Sequence, residues 1–235
     1  MSELHSIGLT ETSRHKLETV SPQFISDGLY DAQKKSWEVF HEIKSQLKEG
    51  MTEAEGRALA YTIFEKKGVK AHWHRPWARF GPGTVLTFNH NTQPTYQLQV
   101  GDPVFLDLGP VWKDPVTQLE YEGDIGDTFV FGENAEAEKC IQAVKKLFLE
   151  AKTEWKEKKL TGQSIYTYLR QRAREEGYEL IEEVSGHRLS DYPHFKYSKA
   201  NLAKLEFSPS PSLWILELQI KHPTLPIGAF HEDLL

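Results

Sequence analysis

Four carboxylates lie inside apolar runs whose residue types favour strand. Asp107 is near the end of PVFLDLG, Asp127 opens DTFVFG, Glu217 lies within LWILELQI and Glu232 within GAFHEDLL. Burying a charge costs on the order of several kcal/mol unless something compensates it, and a cation shared among the four would do so. A divalent metal centre is therefore the chemistry this set could perform. Imidazole is the usual nitrogen ligand of borderline divalent ions, and Gly186 and His187 follow the run ELIEEVS. The competing reading is that strand-borne acids face solvent. Leu106 and Leu108 flank Asp107, Leu216 and Leu218 flank Glu217, and simple alternation could turn either acid outward. Periodicity alone leaves that choice open.

The elements that must position these residues recur in order. Trp37, Phe40, Ile43 and Leu47 repeat at helical spacing, predicting a helix over 31–47 that Gly50 stops. Thr52 and Glu55 have capping-box spacing and Gly68 lies where a C-terminal glycine would, predicting a second helix over 53–67. Residues 69–132 then read as sheet, with VLTF, YQLQV, PVFLDLG and DTFVFG separated by Gly, Pro, Asn and Asp. A long helix over 134–155, a shorter one in TGQSIYTYLRQRAREEG, and the β-like runs ELIEEVSG, LAKLEF, LWILELQI and AFHEDLL repeat the pattern. A shift of 109 residues lays Thr52 on Thr161 and Gly68 on Gly177. The same shift carries Asp107 to within one residue of Glu217 and Asp127 to within four of Glu232. This predicts one α+β domain, residues 30–235, in two related halves sharing a sheet system, after an N-terminal extension over 1–29.

Composition narrows the function classes. At 235 residues, 39% hydrophobic and 26% charged, the chain is an ordinary globular protein with enough length for a substantial core. A net charge of −6 offers no summed positive field for phosphate backbones, so nucleic acid is not expected as a partner. No run reaches the roughly 20 apolar residues of a membrane span, and the N-terminus lacks a signal-peptide apolar block. Neither a membrane partner nor export is expected, and the expected compartment is the cytoplasm. The single cysteine, Cys140, falls in the predicted long helix and reads as a small buried apolar residue.

Two helix-plus-antiparallel-sheet halves with Asp107, Asp127, His187, Glu217 and Glu232 in that chain order resemble the pita-bread metallopeptidases: methionine aminopeptidases, Xaa-Pro aminopeptidases and prolidases. The resemblance runs from about residue 30 to the C-terminus. It implies the pita-bread fold and two divalent ions (Mn, Co, Fe or Zn) held by those five residues. Asp127 and Glu232 would bridge, Asp107 would complete one site, and His187 with Glu217 the other. Glu217 would double as proton shuttle. His90, in TFNHNTQP, and His194, seven residues after His187, match the family's two substrate-facing histidines and would stabilise the scissile carbonyl. His72, His74, His222 and His231 match no ligand of the family and are taken as structural or exposed.

The chain departs from the family at Arg188 and Ser190, which replace glycines after the ligand histidine, and at Phe230, where the proline-directed branch often has arginine. The gap between Asp107 and Asp127 is longer than the family's and implies an extended hairpin through KDPVTQLE. The resemblance implies an aminopeptidase acting on peptides, with a slight lean to Xaa-Pro over methionine specificity carried by NHNTQP. The alternatives are an inactive peptide- or protein-binding module and a creatinase-like hydrolase of a small C–N substrate. Oligomeric state is left open.

Overall fold

The computed structural model describes residues 15–196 and 198–235; the first fourteen residues of the expected extension lie outside them. Four helices account for the helical periodicity. Helix α1 spans Ser26–Gln46 and buries Leu29, Val39, Phe40 and Ile43. Helix α2 spans Glu53–Lys66 behind the expected capping box: the Thr52 hydroxyl accepts from the Glu55 amide at 3.3 Å, and Glu55 accepts from the Thr52 amide at 2.8 Å. Helix α3 spans Ala135–Lys158 and α4 spans Gly162–Glu175, the latter capped by Thr161. Gly68 and Gly177 follow α2 and α4 at φ of 76° and 86°, the left-handed conformation that ends a helix without a Cβ penalty.

The strands are β1 (Ala71–His72), β2 (Trp77–Phe80), β3 (Asp102–Leu108), β4 (Pro110–Lys113), β5 (Glu120–Glu122), β6 (Ile125–Phe131), β7 (Glu179–Leu180), β8 (Ile215–Lys221) and β9 (Gly228–Leu234). Six form one antiparallel sheet in the order β2-β3-β6-β9-β8-β7, and β1-β4-β5 form a small second sheet. The large sheet reads alike from either edge, three strands from each half, with the halves meeting at the β6–β9 seam. The seam ladder is short, Gly126↔Glu232 and Asp127↔His231. Beyond it the Thr128 hydroxyl takes over, donating to the Phe230 carbonyl at 2.8 Å and accepting its amide at 2.7 Å.

Not every β-rich run becomes strand. LAKLEF forms a short 3-10 turn over Leu202–Lys204, ELIEEVSG contributes only the two residues of β7, and neither VLTF nor YQLQV contains a named strand. Gly81, Pro82 and Gly83 turn the chain ahead of VLTF. KDPVTQLE is the hairpin between β4 and β5, its turn pinned by the Asp114 carboxylate accepting the amides of Val116 and Thr117 at 3.0 and 2.6 Å.

Strand alternation sorts the large sheet into two faces. Val104, Leu106 and Leu108 join the core beneath α1 and α2, and Leu216, Leu218 and Ile220 join the core beneath α3 and α4. Truncating such a fully buried leucine costs about 2–5 kcal/mol. Phe105, Asp107, Glu217 and Gln219 therefore look away from the helices, onto the face that carries the cleft. Cys140 is buried in α3 as expected, and burial pushes its thiol up to about 12, which leaves no thiolate for catalysis. No helix among the described residues is long and apolar enough to cross a membrane.

Candidate metal centre

One row across the large sheet runs Asp107–Gly126–Glu232–Glu217 through successive strand pairs. Residues in one row share a face, so three carboxylates are aligned on the cleft side by register alone. Glycine at 126 is what lets them meet. A Cβ there would stand 2.3 Å from the Phe230 ring and 2.8 Å from Glu232 Oε1.

Asp124, immediately before β6, adds a fourth carboxylate, its carbonyl held by Gln33 Nε2 of α1 at 2.7 Å. Two imidazoles bracket it. His187 Nε2 stands 2.8 Å from Asp124 Oδ2, and His74 Nε2 stands 3.3 Å from Asp124 Oδ1 and 3.2 Å from Asp107 Oδ1. Trp73 Nε1 donates to Asp124 Oδ1 at 2.9 Å. His187 is delivered by a close backbone crossing, because a Cβ at Gly186 would lie 1.8 Å from the Ile215 carbonyl oxygen. The Tyr166 hydroxyl ties that loop to β8, accepting the Gly186 amide at 2.6 Å and donating to the Glu217 carbonyl at 2.9 Å.

His194 stacks on His187 with ring centroids 5.2 Å apart. Fully buried Glu122 fixes it from behind: Oε1 accepts the His194 amide at 3.1 Å and Oε2 contacts Nδ1. His74, Asp107, His187, His194, Glu217 and Glu232 line a cleft of about 530 Å³ whose wall includes Trp73, Trp77 and Phe88.

The electrostatics are those of acids packed against each other. Burial pushes the Glu217 carboxyl up, with Asp107 and Asp124 adding to it, to about 8. Burial likewise raises Asp107 to about 6 and Glu232 well above the usual carboxylate range. Burial alone would lower both imidazoles, but Asp107 and Asp124 outweigh it at His74, and Asp124 and Glu217 at His187, carrying each to about 9. Asp124, between them, is held well below the usual range although burial opposes this. Glu232 Oε1 is buried with no hydrogen-bond partner among the described residues. A divalent cation fits this donor set: carboxylate oxygens and imidazole nitrogens converging, one acceptor unpaired, and raised carboxyls that a positive charge would lower.

Asp107, His187, Glu217, Glu232 and His194 are thus brought together, whereas Asp127 and His90 are not. Asp127 is one residue from Gly126 and so faces the helices, where it accepts from Lys145 Nζ at 2.7 Å and meets His231 Nδ1 at 3.0 Å. Asp124 stands in its place, buried against His74 and His187. His90 is exposed, its Nδ1 3.3 Å from the Thr87 amide, and the cleft is lined from that loop by Phe88. His74, taken from sequence as structural or exposed, is instead in the cleft, while its neighbour His72 is exposed and packs on Tyr61. The departures are absorbed without blocking the site. Arg188 is fully buried and turns to the Thr19 carbonyl, and Phe230 stacks on Phe105 at 5.1 Å beside the carboxylate row.

Residues 27–206 match the family described as Metallopeptidase family M24. No curated protein matches the chain. Among solved structures, X-Pro aminopeptidase from Thermotoga maritima MSB8 superposes with a TM-score of 0.68 at 19% identity, over 88% of this chain and 56% of that one. Xaa-Pro dipeptidase from Bacillus anthracis gives 0.66 at 21%, over 88% and 56%. Methionine aminopeptidase from Thermotoga maritima gives 0.66 at 14%, over 92% and 93%. The chain spans little more than half the length of the first two and nearly all of the third. At these identities the likeness establishes the fold.

Proposed function

The chain belongs to metallopeptidase family M24 and has its pita-bread fold, and from that premise we propose that it is a dinuclear-metal-dependent aminopeptidase hydrolysing the N-terminal bond of short peptides. The observation that carries this reading is the convergence of Asp107, Glu217, Glu232 and His187 on one cleft, with Asp124 buried against His187 beneath it. These five would hold the metal, with Asp124 in the role expected of Asp127. Bound divalent metal (Mn, Co, Fe or Zn) would polarise the scissile carbonyl and acidify the attacking water.

The chain's own groups do the rest. Glu217, whose buried carboxyl a bound cation would lower into its ionised form, would take the proton from the water and return it to the leaving amine. His194, anchored through Nδ1 by Glu122, donates from Nε2 to the carbonyl oxygen as charge develops there. Trp73, Trp77 and Phe88 exclude water and offer aromatic faces to a proline ring, which supports the Xaa-Pro lean. The peptidase unit is assigned to residues 30–235.

The test is a panel of Met-Ala-Ser, Ala-Pro-Ala and the dipeptide Ala-Pro, each assayed with added Mn or Co. Release of alanine from Ala-Pro-Ala is expected. Cleavage of Met-Ala-Ser with Ala-Pro-Ala intact would overturn the specificity, and cleavage of none would overturn the activity.

A further inference from the structure

We propose that His74 is a second nitrogen ligand of this centre, so that it carries two imidazoles rather than the single one His187 supplies. The inference rests on reading the cleft as a metal site and goes beyond the five ligands assigned above. Its first support is the tautomer. His74 Nδ1 lies 2.8 Å from the Arg75 carbonyl oxygen, which can only accept, so Nδ1 carries the hydrogen and the neutral ring presents a lone pair at Nε2. His187 is anchored in the same way, Nδ1 to the Arg188 carbonyl at 2.8 Å. A metal-ligating histidine characteristically has its other nitrogen fixed in this manner.

The second support is spacing. Ligand atoms about 2.0–2.1 Å from a tetrahedrally held ion stand about 3.3 Å from one another. His74 Nε2 is 3.2 Å from Asp107 Oδ1 and 3.3 Å from Asp124 Oδ1, poised between a carboxylate on β3 and one just before β6 instead of aligned on one. His74, Asp107 and Asp124 each offer a ligand atom within 4.8 Å of the others.

The third support is that the ring is built in. Its Cδ2 lies 2.5 Å from where a Gly109 Cβ would be, and Trp73 packs edge-on with centroids 4.5 Å apart. The Trp73 amide bonds the Gly109 carbonyl at 3.0 Å, fixing the backbone on which the ring is carried. Two imidazoles beside carboxylates shift preference toward Co, Zn or Fe and away from Mn or Mg.

The test is proton NMR of the full chain loaded with Co(II), in which each liganding imidazole that keeps its Nδ1 hydrogen gives one exchangeable, strongly shifted N–H resonance. Two such resonances are expected in the unaltered protein. One is expected to vanish in His74→Ala and the other in His187→Ala, while His231→Ala, on the opposite sheet face, keeps both. Co(II) affinity of His74→Ala is expected to fall about 1,000-fold or more, beyond the roughly 10–100-fold loss typical of outer groups. A single resonance in the unaltered protein, which needs no variant to fold, or both resonances surviving in His74→Ala, would overturn the proposal. Failure of the unaltered protein to take up cobalt would overturn the metallopeptidase reading itself, a different result from cobalt bound with one resonance.

Discussion

Asp124 and Asp127 are three residues apart in GDIGD, and a strand sends residues at odd separations to opposite faces. Only one can reach the cleft. Parity with Asp107 could not be read without the pairing register, yet two signals in the sequence favoured Asp124: the long gap to Asp127, and a glycine at 126 leaving space beside its row. The histidines were harder. His90 and His74 both precede the first strand carboxylate, and only the close approach at Gly109 and the Arg75 carbonyl decide which ring enters the cleft. Asp124→Asn is expected to lower bound metal to well under half of the normal content, measured by elemental analysis after dialysis. Asp127→Asn should keep full content, because Asp127 faces the helices, and cost about 1 kcal/mol, since the asparagine oxygen can still accept from Lys145 or His231. Equal metal loss in both variants would contradict the face assignment.

The helices were legible because a 3.6-residue apolar period, a capping box and terminal glycines act locally. The sequence predicts a helix over 31–47, and α1 begins at Ser26, an early start that buries Leu29. The strands were less legible. Their hydrogen bonds go to partners distant in sequence, so VLTF and LAKLEF, apolar enough for strand, are held by turns and by packing instead. Where the sheet does form, the β6–β9 seam tolerates little at position 126, since Gly126 admits the Phe230 ring and the Glu232 carboxylate together. Gly126→Ala is expected to destabilise the fold by about 1–3 kcal/mol, the usual cost of overpacking, and to weaken metal binding. Adding Phe230→Leu should recover part of the stability in denaturant melts but not the metal, because the Glu232 contact at 2.8 Å remains. Full recovery of both would show that Phe230 alone, and not the carboxylate row, senses position 126.

At the scale of the molecule, the candidate ligands come from both halves: Asp107 and Asp124 from the first, His187, Glu217 and Glu232 from the second. A cation between them ties the halves across their short seam, so metal that binds only the folded chain raises its stability, by about 2.7 kcal/mol at a hundredfold excess over Kd. The pH dependence follows from the raised groups of the cleft, Asp107 and Glu232 among them. His74 and His187 titrate at about 9 and Glu217 at about 8 in the folded chain, all above their ordinary values, so the folded metal-free protein holds these protons more tightly than the unfolded chain. That contribution is present below the ordinary values and is lost as pH rises through 8 and 9. Metal must displace the same protons, and its apparent affinity therefore rises over the same window. The expected outcome of thermal melts between pH 6 and 9 is a midpoint that falls with pH for the chelated protein. With saturating Mn or Co the midpoint should stay nearly level, so the metal-induced increase is larger at pH 8.5 than at pH 6. An increase that shrinks as pH rises would mean that these raised groups are not the ones the metal displaces.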